Sequence, residues 1–248
     1  MQIFLSPHFD DAVYSCGGMI YRQLQQGKAV MVITVMGGVS TVYPDTPIVR
    51  DLHQRWQAGE NPIITRQNED KEAVEGLGAS LVQLGTLDCV YRVFNDVALY
   101  PDETALWGEV NANDPALTVF ADMNNLLKGH QVFAPLGVGN HVDHRIVRDE
   151  TLRLWQQTQD FELFFYTDYP YMREASRIAE ARAQVSFFLC DTWQPLDEGA
   201  MTAKIRAMSC YRSQVSTFWK DETAMQTDVR RVFVDENGEY AERFWVIC

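Results

Sequence analysis

Ile3-Phe4-Leu5-Ser6-Pro7-His8-Phe9-Asp10-Asp11 opens the chain, and its reading decides the fold. The apolar run is a short buried strand, Pro7 fixes a turn, and a helix follows over 11–26, closed by Gly27. Ala29 to Met36 is then continuously apolar and rich in β-branched residues, the pattern of a strand covered on both faces. Strand, helix, strand in this order implies a parallel pair with a right-handed crossover.

The alternation continues outward. Arg66 to Leu77 reads as a helix ended by Gly78, and Leu81 to Leu84 as a strand. Thr118 to Gly129 has a helical pattern, Gln131 to Pro135 reads as a buried strand, and a helix runs on to about Gln159. Glu162 to Tyr166 and Val185 to Cys190 read as strands, Asp197 to Gln214 as a helix, and Arg230 to Ile247 as a hairpin turning at Asn237-Gly238. Residues 39–65 hold Pro44, Pro47, Gly59 and Pro62 with little periodicity, which suits a lid or binding loop. The pattern predicts a three-layer, Rossmann-like α/β fold with a mostly parallel central sheet and a C-terminal β-hairpin added at an edge. With no repeat, linker or low-complexity tract, a single domain over 1–248 is expected.

Hydrophobic residues make up 46% of the chain, enough for a sizeable core. The net charge of -13 argues against nucleic acid, which calls for a basic footprint. The five cysteines, Cys16, Cys89, Cys190, Cys210 and Cys248, are odd in number and show no metal-type spacing. They are expected as scattered buried thiols in a reducing compartment. The start of the chain has no basic n-region, and no apolar span nears the ~20 residues of a membrane helix. A cytoplasmic protein without membrane contact is the expectation.

Two clusters carry the chemistry. His8 and Asp11 are three apart, so on the first turn of a helix they share a face, and both side-chain types are ligands that zinc accepts. Asp10 points elsewhere, which suits a base that takes a proton from water. Asn140-His141-Val142-Asp143-His144 follows another predicted strand and repeats the three-residue spacing. One of its histidines could complete a three-ligand shell. The other would be free to hydrogen-bond an oxyanion or protonate a leaving group, oriented by Asp143. Three of the five histidines lie in these clusters, while His53 and His130 stand apart and read as surface or structural. Arg66 and Arg92 could clamp an anionic part of a substrate, and Asp88 could accept bonds from sugar hydroxyls. Tyr43, Trp56 and Tyr91 could stack on a sugar ring.

With Pro7-His8-Phe9-Asp10-Asp11 and His141-Val142-Asp143-His144 in view, the chain resembles the LmbE/PIG-L superfamily of zinc-dependent N-deacetylases. Arg66-Gln67-Asn68-Glu69 through Gly78 is similar to that family's second helix, and Lys204 to Gln214 to its late helix. The resemblance implies that His8, Asp11 and His144 hold one Zn2+ (or Fe2+) per chain. It also implies that Asp10 is the general base on metal-bound water, and that His141, supported by Asp143, stabilises the tetrahedral intermediate. The implied substrate is a small N-acetylglucosamine-type sugar or conjugate, and a homo-oligomer is among the assemblies seen in such proteins. Phe9 and Ala12 depart from the commoner proline and glutamate and mark a distinct subgroup. Rival readings are an amidase on a thiol conjugate or antibiotic intermediate, a metal phosphoesterase, and a binding module without activity.

Overall fold

The computed structural model describes residues 1–248 except Ala58, Glu60 and Asp122. Its strands are β1 (Gln2–Ser6), β2 (Val30–Thr34), β3 (Ser80–Gln83), β4 (Val93–Phe94), β5 (Val97–Ala98), β6 (Gln131–Pro135), β7 (Glu162–Tyr166), β8 (Leu189–Pro195) and β9 (Ala241–Ile247). Its helices are α1 (Asp11–Gln25), α2 (Pro47–Trp56), α3 (Pro62–Leu77), α4 (Glu103–Leu106), α5 (Asn124–Leu127), α6 (Val142–Thr158), α7 (Ala175–Gln184), α8 (Glu198–Met208), α9 (Arg212–Phe218) and α10 (Glu222–Val232).

Seven strands form the central sheet in the order β3-β2-β1-β6-β7-β9-β8. β3, β2, β1, β6 and β7 are parallel, whereas β9 runs antiparallel to both β7 and β8. Alternate residues of one strand go to opposite faces. Phe4 therefore joins the core layer under α1, α3 and α8, while Ile3 and Leu5 join the layer under α6 and α7. That split is the physical reason the strand reads as an unbroken apolar run. Between β1 and β6 the strand order reverses, which opens a crevice at their carboxyl ends.

Several local readings are corrected. Thr46 caps α2 through its side chain and Pro47 begins it, so 39–65 is not one loop. α3 starts at Pro62, ahead of Arg66. The helix expected over 118–129 is a 3-10 turn, Pro115–Thr118, followed by the short α5, with Asp122 outside the described residues. Ser209 to Tyr211 break the expected late helix into α8 and α9. The region 185–190 is strand only from Leu189. The C-terminal antiparallel pair is β8 with β9. Arg230 to Val232 instead finish α10, and a single bridge, Val234 to Tyr240, spans the Asn237-Gly238 turn. β9 lies inside the sheet, with β8 at the edge.

The expectation of unpaired thiols is also corrected. β8 and β9 set Cys190 opposite Val246, which brings the Cα of Cys190 within 6.0 Å of that of Cys248, and the two form a disulfide. Cys16 and Cys89 are buried free thiols, and Cys210 is half-buried. Among the described residues, no helix is long and apolar enough to cross a membrane.

Candidate active site

The turn after β1 is braced by Ser6, whose Oγ donates to the carbonyl of His8 and accepts from Ala12 N at 2.9 Å. The His8 amide in turn donates to Asp11 Oδ2 at 2.8 Å. Asp10 is the N-cap residue of α1, yet its side chain makes no capping bond, so its carboxylate is left to the cleft. After β6, residues 136–141 lead to α6, whose first turn carries Asp143 and His144.

The two clusters meet. His8 Nδ1 and His144 Nε2 each lie 3.3 Å from the same oxygen, Asp11 Oδ2. The far nitrogen of each ring is held by a buried aspartate: His8 Nε2 by Asp143 Oδ2 at 2.9 Å, and His144 Nδ1 by Asp168 Oδ1 at 2.7 Å. Such carboxylates fix ring orientation and tautomer, leaving the near nitrogen's lone pair free for a metal. Asp168 is itself anchored, with Oδ2 accepting from Gly137 N at 2.9 Å and Val138 N at 3.0 Å. Sequence reasoning missed Asp168. The signal was present, since it stands two residues past β7, the strand-end position that the other site residues also occupy.

Asp143 was expected to orient His141, and this is corrected. Its carboxylate binds His8, the Cys89 amide (3.0 Å) and the Arg92 guanidinium. Among the described residues the hydrogen bond between His141 and Asp143 runs through the backbone, with Nδ1 accepting the Asp143 amide at 3.3 Å. In a neutral His141 the proton then resides on Nε2, where it can be donated, and the ring also lies with His8 and His144 in a group whose ligand atoms are within 4.8 Å of one another. The ring packs edge-on against Trp107 at 5.1 Å.

Arg92 as a substrate clamp is corrected as well. It is 1% exposed, does not line the cleft, and spends its charge on Asp143 and on Asp114, 3.3 Å away. Arg66 and Asp88 do reach the cleft. Arg66 lies over the Trp56 ring at 4.4 Å, with Nη2 3.6 Å from Asp10 and Nη1 3.8 Å from Asp88. Gln214, with its amide oxygen toward them, accepts from Arg66 Nε and Trp56 Nε1, both at 3.2 Å. Of the three aromatics proposed to stack on a sugar, Trp56 lines the cleft, while Tyr91 is buried against Tyr43 and His53. α2, read as loop, supplies one wall through Ile48, Leu52 and Trp56. The cleft encloses ≈ 260 Å³.

Electrostatics follow from crowding. Burial alone would raise Asp11, but the His144 and His8 imidazoles outweigh it and hold it well below the usual carboxylate range. Burial opposes charge on His144, yet Asp11 and then Asp168 bring its pKa up to about 10. Burial likewise opposes His8, and Asp88, Asp11 and Asp143 lift it well above its ordinary value. Burial and the adjacent His8 hold His141 well below its ordinary value, so it is neutral. Burial and then Asp11 push Asp10 up to about 6, against Arg66 and His8. The His8 and His144 imidazoles thus gather protons where the site lacks positive charge. Two imidazole nitrogens, one carboxylate oxygen, their supporting carboxylates and this cation deficit fit a divalent metal ion.

The family model described as PIG-L, GlcNAc-PI de-N-acetylase, matches residues 3–155. The chain belongs to the PIG-L family. As a PIG-L protein it is an enzyme, a metal-dependent N-deacetylase. It is 26% identical over 264 residues to a 2'-N-acetylparomamine deacetylase of Niallia circulans, covering 98% of this chain and 90% of the relative. It is 28% identical to one of Streptomyces fradiae over 237 residues, covering 91% and 76%. In fold it is similar to the zinc-inhibited form of teicoplanin deacetylase Orf2, with a TM-score of 0.83, 22% identity and coverage of 100% and 97%.

Proposed function

We propose that this PIG-L chain removes the acetyl group from an N-acetylated amino sugar, free or within a conjugate. All of 1–248 would act as one deacetylase domain. The ligands would be His8 Nδ1, Asp11 and His144 Nε2, holding one ion per chain, Zn2+ or Fe2+. The observation that carries the reading is the convergence of both free imidazole nitrogens on Asp11 Oδ2 at 3.3 Å. When bound, the ion supplies Lewis-acid polarisation of the amide and acidification of a nucleophilic water.

The remaining groups divide the work. Asp10, with its pKa raised to about 6, can take a proton from an attacking water and return it at neutral pH. His141 is held neutral, so its Nε2–H serves as a donor to the developing oxyanion. An imidazole so resistant to charging carries no imidazolium proton to give, so in this reading the departing amine takes its proton from Asp10. Arg66 and Asp88, 3.8 Å apart, offer a donor and an acceptor to sugar hydroxyls. Trp56 and Trp107 line the cleft, where they would flank the sugar's apolar face. The relatives named 2'-N-acetylparomamine deacetylase support an amino sugar as the substrate class.

The test is acetate release from a panel of N-acetylated amino sugars, with and without a chelator. Release from at least one sugar, abolished by metal removal and restored by Zn2+ or Fe2+, is expected. Release that persists in fully metal-free protein would end the reading.

A further inference from the structure

Cys89 opens a 3-10 turn, Cys89–Tyr91, that Asp88 caps by accepting the Val90 amide at 3.2 Å. Its thiol is free and buried, and deacetylation makes no use of it. Sγ lies 4.0 Å from His141 Nε2, across 52 residues of sequence. Among the described residues, that nitrogen has no other hydrogen-bonding partner, although His141 is only 8% exposed. Asp143 completes a group with them. One ligand atom from each of Cys89, His141 and Asp143 lies within 4.8 Å of the other two. Two backbone bonds hold the three together: the Cys89 amide donates to Asp143 Oδ2 at 3.0 Å, and the Asp143 amide to His141 Nδ1 at 3.3 Å.

Thiolate, imidazole and carboxylate are ligands of zinc, which reaches about 2.3 Å to sulfur and ~2.0–2.1 Å to nitrogen. One ion between Cys89 Sγ and His141 Nε2 can therefore touch both across 4.0 Å. Sulfur selects against hard cations such as Mg2+. None of these three ligands belongs to the set His8, Asp11 and His144. The two sets also differ behind their imidazoles. His8 and His144 have carboxylates at their far nitrogens, whereas the far nitrogen of His141 faces the Asp143 N–H. A metal on His141 Nε2 moves the ring proton to Nδ1 and breaks that amide bond. This site is therefore the weaker of the two and fills second.

We propose that Cys89, His141 and Asp143 form a second metal site, for a divalent zinc-type ion, that shuts the enzyme off when metal is in excess. The consequence for turnover rests on the deacetylase reading: an ion on His141 Nε2 replaces the N–H that would be given to the oxyanion. Arg66 and Asp88 still bind the sugar, so kcat falls while KM holds.

Cobalt reports the ligand set without turnover, because a thiolate on Co2+ gives a strong near-ultraviolet charge-transfer band that nitrogen and oxygen ligands alone do not. Metal-free wild type should bind a first equivalent of Co2+ without that band and a second with it. Cys89→Ser and Cys89→Ala should bind the first equivalent and show no band. Cys210→Ser, which removes the half-buried thiol, should keep it. No band in wild type at excess cobalt, a band that survives loss of Cys89, or a band lost with Cys210 would each overturn the proposal. Relative to one equivalent of Zn2+, excess Zn2+ should lower wild-type kcat roughly 10²-fold, the scale of one lost oxyanion donor. In the Cys89 variants the same excess should leave kcat unchanged, and inhibition as deep as in wild type would overturn the proposal. Should wild type release acetate from no N-acetylated sugar, the deacetylase reading fails, while the cobalt band still decides the metal site.

Discussion

Beneath α1, Lys204 Nζ donates to Glu242 Oε1 at 2.7 Å, with both side chains at most 1% exposed. Glu242 also accepts from Gly18 N at 3.0 Å and Met19 N at 2.8 Å, and the ammonium rests 3.6 Å from the Phe233 ring centre. One anion meets one cation, and the carboxylate oxygens are both occupied. At the carboxyl ends of the strands the arrangement differs. There Asp10, Asp11, Asp88, Asp114, Asp143 and Asp168 are buried, and among the described residues the guanidiniums that pair with them are Arg66, with Asp10 and Asp88, and Arg92, with Asp114 and Asp143. The first group is closed and holds α1 and α8 to β9. The second is short of positive charge, and His8 and His144 rise in pKa to supply it. A buried charge that is fully paired locks a fold, whereas a buried excess of one sign is a place for a ligand of the other sign.

Substitutions that strike only one of the two groups test this contrast. The largest effect belongs to the open site. His144→Ala should lose both bound metal and activity, read by metal analysis of the dialysed protein, and a full metal complement would remove His144 from the shell. Asp10→Asn should keep its metal and lose roughly 10²–10⁴ in kcat, the scale of a general base. Turnover near wild type would exclude Asp10 from that role.

Next in size is the closed pair. Lys204→Met leaves Glu242 buried and unpaired, which should cost about 3–5 kcal/mol in denaturant unfolding. Adding Glu242→Gln should recover part of that loss, and turnover per folded molecule should stay near wild type. If Lys204→Met instead abolished metal binding, the two groups would not be independent.

The smallest effect is a pH dependence. His144, at about 10, and His8, also raised, hold protons in the native metal-free protein above pH ~6.5, where the unfolded chain has released them. The stability they contribute is therefore fully present below that pH and is lost as pH rises toward 10. Metal-free protein should show a melting temperature that falls between pH 7 and 10, and the metal-loaded form a flatter profile. Zinc titration at pH 7 should release protons, visible as a buffer-dependent heat in calorimetry. A heat independent of buffer would contradict the protonated imidazoles.

Much of the architecture was legible because the relevant signals are local. β6 and β7 coincide with the expected strands, since an apolar run between breakers needs no partner to be recognised. α2 was not legible. Its start depends on the Thr46 cap and Pro47, and proline read as a loop signal hid its other use at the first helical position. The C-terminal hairpin was misplaced for a tertiary reason. β9 takes its partners from β7 and β8, remote in sequence, so the turn at Asn237-Gly238 closes only one bridge. Arg92 misled because a guanidinium beside a motif fits a substrate clamp and a structural counter-ion equally well until its burial is known.

The amino-acid sequence alone determined the strand–turn–helix opening, the residue types able to bind a metal, and their three-residue spacing. These are properties of backbone geometry over a few residues, and they survive in any tertiary context. The fold decided which carboxylate supports which imidazole: Asp143 reaches back 135 residues to His8, and Asp168 takes His144. It also turned Arg92 inward, onto Asp143 and Asp114. Those outcomes depend on the order in which β1, β6 and β7 lie side by side, and no local pattern encodes the distance between the ends of different strands.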